Sequence, residues 1–189
     1  MSSMKRYALC ATILVTTMFG ALATNCYAMD VKSAQTALND TGITAAINAK
    51  YTKCKILNPF DIDVTTKDGV VMLSGEVDTK LQYEQAVMIA ESMYDVNTVN
   101  ADELLVKNSK SPLKDSYITG KIKGKILKAK VLGDNKFSDY DVSVETTDGK
   151  VVLKGTVNSN AQVEKILSLV KSTEGVKSVQ SSLKVKQNN

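Results

Sequence analysis

Five lysines crowd one short stretch of this chain: Lys121, Lys123, Lys125, Lys128 and Lys130. Ammonium groups gathered on one element attract anionic surfaces, and each lysine near an anionic bilayer contributes about 1 kcal/mol. At about 100° per residue along a helix, Ile118, Ile122, Ile126 and Ala129 share a buried face. Lys121, Lys125 and Lys128 then flank that face on one side, and Lys123 and Lys130 on the other. Gly120, Gly124 and Leu127 are expected to point outward between them. A basic rim around an exposed leucine is the pattern of a helix lying on a membrane. The expected chemistry is reversible docking on anionic phospholipid head groups, with Leu127 at the acyl boundary; the plainer alternative is a solvated helix face.

Other chemistry has little to work with. The chain has no histidine, which removes the commonest general base and transition-metal ligand and every Ser-His or Cys-His nucleophile. The acidic residues fall mostly at turn and strand-surface positions and form no convincing pair, so no catalytic residue, metal site or cofactor is expected. Nucleic acid is not expected as a partner either. The strands lack an aromatic platform for stacking bases, and Gly120-x-x-x-Gly124 has the wrong spacing for the backbone clamp of KH domains.

The elements that must position these lysines occur twice. Residues 63–77 align with 143–157 at a constant offset of 80, and eight of the fifteen positions are identical. Each copy reads as helix, strand, strand, helix, strand. The first helix is expected to start after Asp40-Thr41 in one copy and Asp115-Ser116 in the other, where side-chain oxygens can cap free amides. Ile43, Ile47 and Tyr51, like Ile118, Ile122 and Ile126, recur every four residues on one face. Two strands with alternating apolar residues then meet at Asp68-Gly69 and Asp148-Gly149, tight hairpin signals. Gly75 and Gly155, inside the second strands, point to a close approach of the second helix to the sheet. Gly69, Gly75, Gly149 and Gly155 are thus turn and packing glycines.

Thr79-x-x-Gln82 and Ser159-x-x-Gln162 are capping-box patterns that open the second helices. Gly175 is expected to end the second of these. In the last strand the offset slips to 79, because Leu104 matches Leu183, which predicts a β-bulge in the first copy. Cys54 lies on the buried helical face and reads as a packed thiol. Phe60 and Phe137, ahead of the first strands, read as seals at the core edge or as contacts for a ligand. Each copy is small enough to be marginal alone, so the two are expected to pack on each other or on a partner.

Residues 1–28 read as a secretory signal peptide: Lys5 and Arg6, an uncharged apolar stretch from Tyr7 to about Ala23, then Cys26-Tyr27-Ala28 before the cut. A lipid anchor is not expected, since Ala23-Thr24-Asn25 before Cys26 fits a lipidation signal poorly. Only Cys54 then remains, so no internal disulfide is available. Charge is split between the copies. Residues 40–107 hold 6 Lys and 11 Asp or Glu, net −5; residues 114–186 hold 14 Lys and 8 Asp or Glu, net +6. The basic copy is expected to face the anionic partner.

Two αββαβ copies, each with an Asp-Gly hairpin, Leu-x-Gly-x-Val and a capped amphipathic helix, resemble a pair of BON domains. The second copy carries the likeness best, through Val144-Glu-Thr-Thr-Asp-Gly-Lys-Val-Val-Leu-Lys-Gly-Thr-Val157, Gln162 and Gly175-Val176-Lys177-Ser178-Val179. The resemblance implies an α+β fold of two tandem modules, each a three-stranded mixed sheet with two helices on one face. The division expected is a signal peptide 1–28, a segment 29–39, BON domain 1 at 40–107, a linker 108–113, BON domain 2 at 114–186 and a tail 187–189. The chain is similar to soluble periplasmic dual-BON proteins of Gram-negative bacteria and to dual-BON outer-membrane lipoproteins. That similarity implies a non-enzymatic role in envelope integrity under stress through phospholipid association. The alternative it implies is a periplasmic chaperone or adaptor for exported or envelope proteins.

Overall fold

The computed structural model describes residues 31–109, 113–132 and 141–186. The signal-peptide stretch, Pro112 and Phe137 lie outside the described residues. In chain order the elements are α1 (Val31–Lys53), β1 (Ile62–Lys67), β2 (Val70–Val77), α2 (Lys80–Glu91) and β3 (Thr98–Val106). The second module follows with α3 (Lys114–Leu132), β4 (Asp141–Thr147), β5 (Lys150–Val157), α4 (Asn160–Lys171) and β6 (Ser178–Val185). Each module is a three-stranded mixed sheet: a β1–β2 or β4–β5 antiparallel hairpin whose second strand pairs in parallel with β3 or β6. The second helix of each module is the crossover that makes this parallel pairing possible.

The cores follow the apolar alternation. Ile47, Tyr51, Val71, Leu73, Val87 and Leu104 are among the side chains buried in the first module. Ile122, Val151, Leu153, Val157, Ile166 and Val170 do the same in the second. Cys54 is partly buried against the first core, as its helical position predicts. The capping box of α2 is complete at Thr79 and Gln82, and Ser159 caps α4 through the Gln162 amide. The expected bulge is present. Met72 pairs with Asn100 and Ser74 with Glu103, so Ala101 and Asp102 together oppose Leu73, whereas β5–β6 runs without a break. The extra residue returns Leu104 to the buried face after Ala101.

Four expectations need correction. The helix α1 starts at Val31 and so runs through Asp40. Asp40 is therefore no N-cap; its carboxylate instead accepts the Asp68 and Gly69 amides of the hairpin, at 2.7 and 2.9 Å. Asp115, in the first turn of α3, grips Asp148 and Gly149 at the same two distances. A carboxylate satisfies both outward amides of the turn at once, and this ties helix to hairpin in both copies. A second shared tie joins Thr44 to Thr66 and Thr119 to Thr146, each at 2.8 Å.

Gly75 and Gly155 answer to the neighbouring strand, not to a helix. Their φ values are 117° and 132°, and a Cβ there would lie 2.2 Å from the Asp61 carbonyl oxygen or 1.8 Å from that of Asp141. Gly175 does not end α4, which stops at Lys171 with Ser172 as its cap. It sits in the turn leading to β6 with φ 86°, where Asp95 stands at φ 56° in the first copy. Phe60 seals no core: it is 94% exposed.

Candidate functional site

The lysine helix α3 lies against α2 of the first module, so the second module's first helix forms the interface between modules. Gly120 and Gly124, expected to face outward, are the contact points. A Cβ on Gly120 would come within 2.8 Å of the Glu84 carbonyl oxygen, and one on Gly124 within 2.6 Å of Glu91 Cβ. Two glycines four residues apart let the backbones meet. The signal was present in the sequence, but reading outward from the Ile118–Ile122–Ile126 stripe assumed that α3 covers only its own sheet.

The lysines follow the helix into this interface. Lys121 is only 6% exposed. Its ammonium contacts the Tyr117 hydroxyl at 3.2 Å and stands 5.2 Å from the Tyr117 ring centre. Lys123 pairs with Glu84 at 3.3 Å, Lys125 donates to Thr173 Oγ1 at 3.3 Å, and Lys128 donates to the Val96 carbonyl at 2.9 Å. Leu127 and Lys130 are half-buried. Tyr117 adds a hydrogen bond from its hydroxyl to the Val99 carbonyl. So α3 bridges to α2 through Lys123, to the turn before β3 through Lys128 and to β3 through Tyr117, while Lys125 ties it to its own module.

Beneath these lysines lies Glu91, which sequence reasoning missed. It is 5% exposed, and its Oε2 has no hydrogen-bond partner. Burial raises its pKa above the ordinary carboxylate value, against the pull of Lys121, Lys125 and Lys128. Burial likewise lowers the pKa of Lys125. An open cleft of about 1250 Å³ beside the interface is lined by Lys80, Glu84, Lys114, Lys123, Glu145 and Asp148, among others. Its mixed charges select no ligand of one sign. Among the described residues no cluster of three or more His, Cys, Asp or Glu is placed to hold a metal.

Two other surfaces separate the modules. Alternation along the strands turns one sheet face away from the helices. In the first module that face carries Asp63, Lys67, Glu76 and Glu103, net −2; in the second it carries Asp141, Glu145, Lys150, Lys154 and Lys184, net +1. All three lysines are exposed, and Lys154 makes only a loose contact of 3.7 Å with Glu145. At the end of the first module, the Gln82 amide donates to the Ile56 carbonyl at 2.9 Å. That contact holds exposed Ile56 beside the start of α2, where Leu81 is also exposed. No helix among the described residues is long and apolar enough to cross a membrane.

Comparison with known proteins matches this architecture. The BON domain model fits residues 39–108 and again 114–187. Osmotically-inducible protein Y of Escherichia coli is 38% identical over 149 residues, which span 79% of this chain and 74% of that protein. An uncharacterized protein from the gshII 5' region of Anaplasma centrale is 27% identical over 79% of this chain and 96% of its own length. A solved structure of the C-terminal domain of CdsD, from the Type III secretion system of Chlamydia trachomatis, shares 15% identity with a TM-score of 0.32. It covers 78% of this chain and 67% of that one. With a family match filling each copy of its repeat, this chain belongs to the BON domain family, as a tandem pair.

Proposed function

We propose that this protein is a non-enzymatic, exported binding protein of the bacterial envelope that associates with anionic phospholipid, under the osmotic stress its relative's name records. The observation that carries this reading is the change of charge between corresponding sheet faces: Lys150, Lys154 and Lys184 stand on the second module's face, against Lys67 alone among three carboxylates on the first. An exposed sheet face with lysines on two neighbouring strands can present several ammonium groups to a lipid surface at once. The α3 lysines, being engaged at the module interface, support lipid contact less directly. Periplasmic location rests on the export signal read in residues 1–28.

The test is co-sedimentation of residues 29–189 with anionic or zwitterionic vesicles at low and high salt. Binding is expected for anionic vesicles only and should fall steeply with salt. The triple variant Lys150→Glu, Lys154→Glu, Lys184→Glu should abolish it while leaving the fold intact. Undiminished binding by that folded variant would remove the sheet face from the proposal, and no binding by the parent chain would remove lipid. A second reading, binding of exported proteins as chaperone or adaptor, is favoured by the exposed Ile56, Phe60 and Leu81 at the end of the first module.

A further inference from the structure

The module interface shows what one edge of a BON module is shaped to receive. In the first module α3 lies along α2 and reaches β3. Glu84, Val87, Met88 and Glu91 form the receiving surface on α2, and the Val96 and Val99 carbonyls receive Lys128 and Tyr117. Under this cover Val87, Val99, Ala101 and Leu104 are all buried.

Among the described residues, nothing covers the same edge of the second module. An offset of 80 turns Glu84, Val87, Met88 and Glu91 into Glu164, Leu167, Ser168 and Lys171. There Glu164, Ser168 and Lys171 are exposed and Leu167 is half-buried. On β6 the inward positions Val179 and Leu183 stay half-exposed, and Ser181 is exposed. The groove keeps its apolar floor and keeps Glu164 in place of Glu84, but Lys171 stands where Glu91 lies.

We propose that the α4–β6 edge of the second module binds an amphipathic helix of another protein. That helix has small residues where α3 has Gly120 and Gly124, and carboxylates where α3 has Lys121, Lys125 and Lys128. The partner is a helix because this edge, in the same fold, already receives one at backbone contact. It is acidic because Lys171 replaces Glu91. A second copy of this chain fits badly. Its α1 would offer Ala45 and Ala49 in place of the two glycines, but Lys50 and Lys53 in place of Lys125 and Lys128. Those lysines would meet Lys171, and like charges at contact disfavour such a pairing.

The probe is a synthetic peptide of the α3 sequence, 114–132, carrying Lys121→Glu, Lys125→Glu and Lys128→Glu; the unaltered α3 peptide is the control. Fluorescence anisotropy against residues 29–189 should show the charge-reversed peptide binding in the micromolar range, about tenfold tighter than the control. In the Lys171→Glu chain the preference should reverse. Leu167→Asp should remove binding of both peptides, with an unchanged circular dichroism spectrum showing the fold intact. Equal affinity for the two peptides, no binding, or no reversal at Lys171 would overturn the proposal. So would a concentration-dependent dimer dissolved by Ala45→Arg, which gives the edge to a second copy. Vesicle binding lost on Leu167→Asp would give it to lipid instead, and likewise overturn the proposal.

Discussion

The two modules share one fold, yet their corresponding edges live in different surroundings. Leu104 on β3 is 1% exposed, whereas Leu183 on β6 is half-exposed. Their own modules provide the same hairpin, the same capped helix and the same carboxylate clamp. One source of the difference is a neighbour, since α3 covers the first edge and no element among the described residues covers the second; another is Tyr83, buried against β3 where the second module has Val163. Equivalent positions in a repeat therefore carry different energetic weight according to what the next repeat places over them. Among the described residues, one edge is sealed and the other open.

Truncation at the paired leucines should break this comparison most sharply. Leu104→Ala is expected to cost about 3 kcal/mol, in the range for a buried leucine. Leu183→Ala should cost about 1 kcal/mol, since less surface is removed from water to begin with. Urea unfolding measures both, and equal costs would show that the edge of the second module is sealed in solution. Next come the small residues of the two first helices. Gly120→Ala and Gly124→Ala should each destabilise by about 1–3 kcal/mol, because a Cβ would collide with α2. At the matched positions, Ala45→Leu and Ala49→Leu should change stability by less than about 0.5 kcal/mol, since both alanines are exposed. A thermal transition that splits in two for the glycine variants, and stays single for the alanine ones, would locate the damage between modules.

The clamps should not distinguish the copies. Asp40→Ala and Asp115→Ala each leave two turn amides without their acceptor, at an expected cost of about 1–3 kcal/mol each. A large difference between them would mean that one turn finds another acceptor. The smallest effect is expected at Glu91. Its pKa is raised on folding by burial, so the folded state holds its proton more tightly than the unfolded state does. Below the ordinary carboxylate value of 4.5 both states are protonated and Glu91 adds no penalty. As pH rises through the raised folded value, stability falls. Glu91→Gln should therefore match the parent chain near pH 4 and exceed it in thermal stability at pH 7–8. A variant less stable than the parent at neutral pH would show that Lys121, Lys125 and Lys128 outweigh the burial.

Much of this fold was legible from local pattern. The hairpin turns, the helix caps at Thr79 and Ser159, the apolar faces and even the bulge at Ala101–Asp102 follow from residue type and spacing, because each is set by neighbours a few residues away. Asp40 and Asp115 were legible as important but not in their role. An aspartate before a helical stripe suggests a cap, and only the fold brings it to a turn 28 or 33 residues further on. The lysines of α3 were visible as a cluster, but which of them reach solvent depended on what packs over Gly120 and Gly124.

The sequence by itself determined the repeat, the α+β modules, the inward residues of the first two strands of each module and the opposite net charges of the two copies. Those properties are written in periodicity and composition, and the backbone has few other ways to satisfy them. The tertiary structure decided that α3 joins the modules, that Glu91 is buried beneath its lysines, and that no described element covers the corresponding edge of the second module. Such outcomes depend on contacts between residues distant in the chain. Two glycines that permit backbone approach give no sign, in the sequence, of which helix will make it.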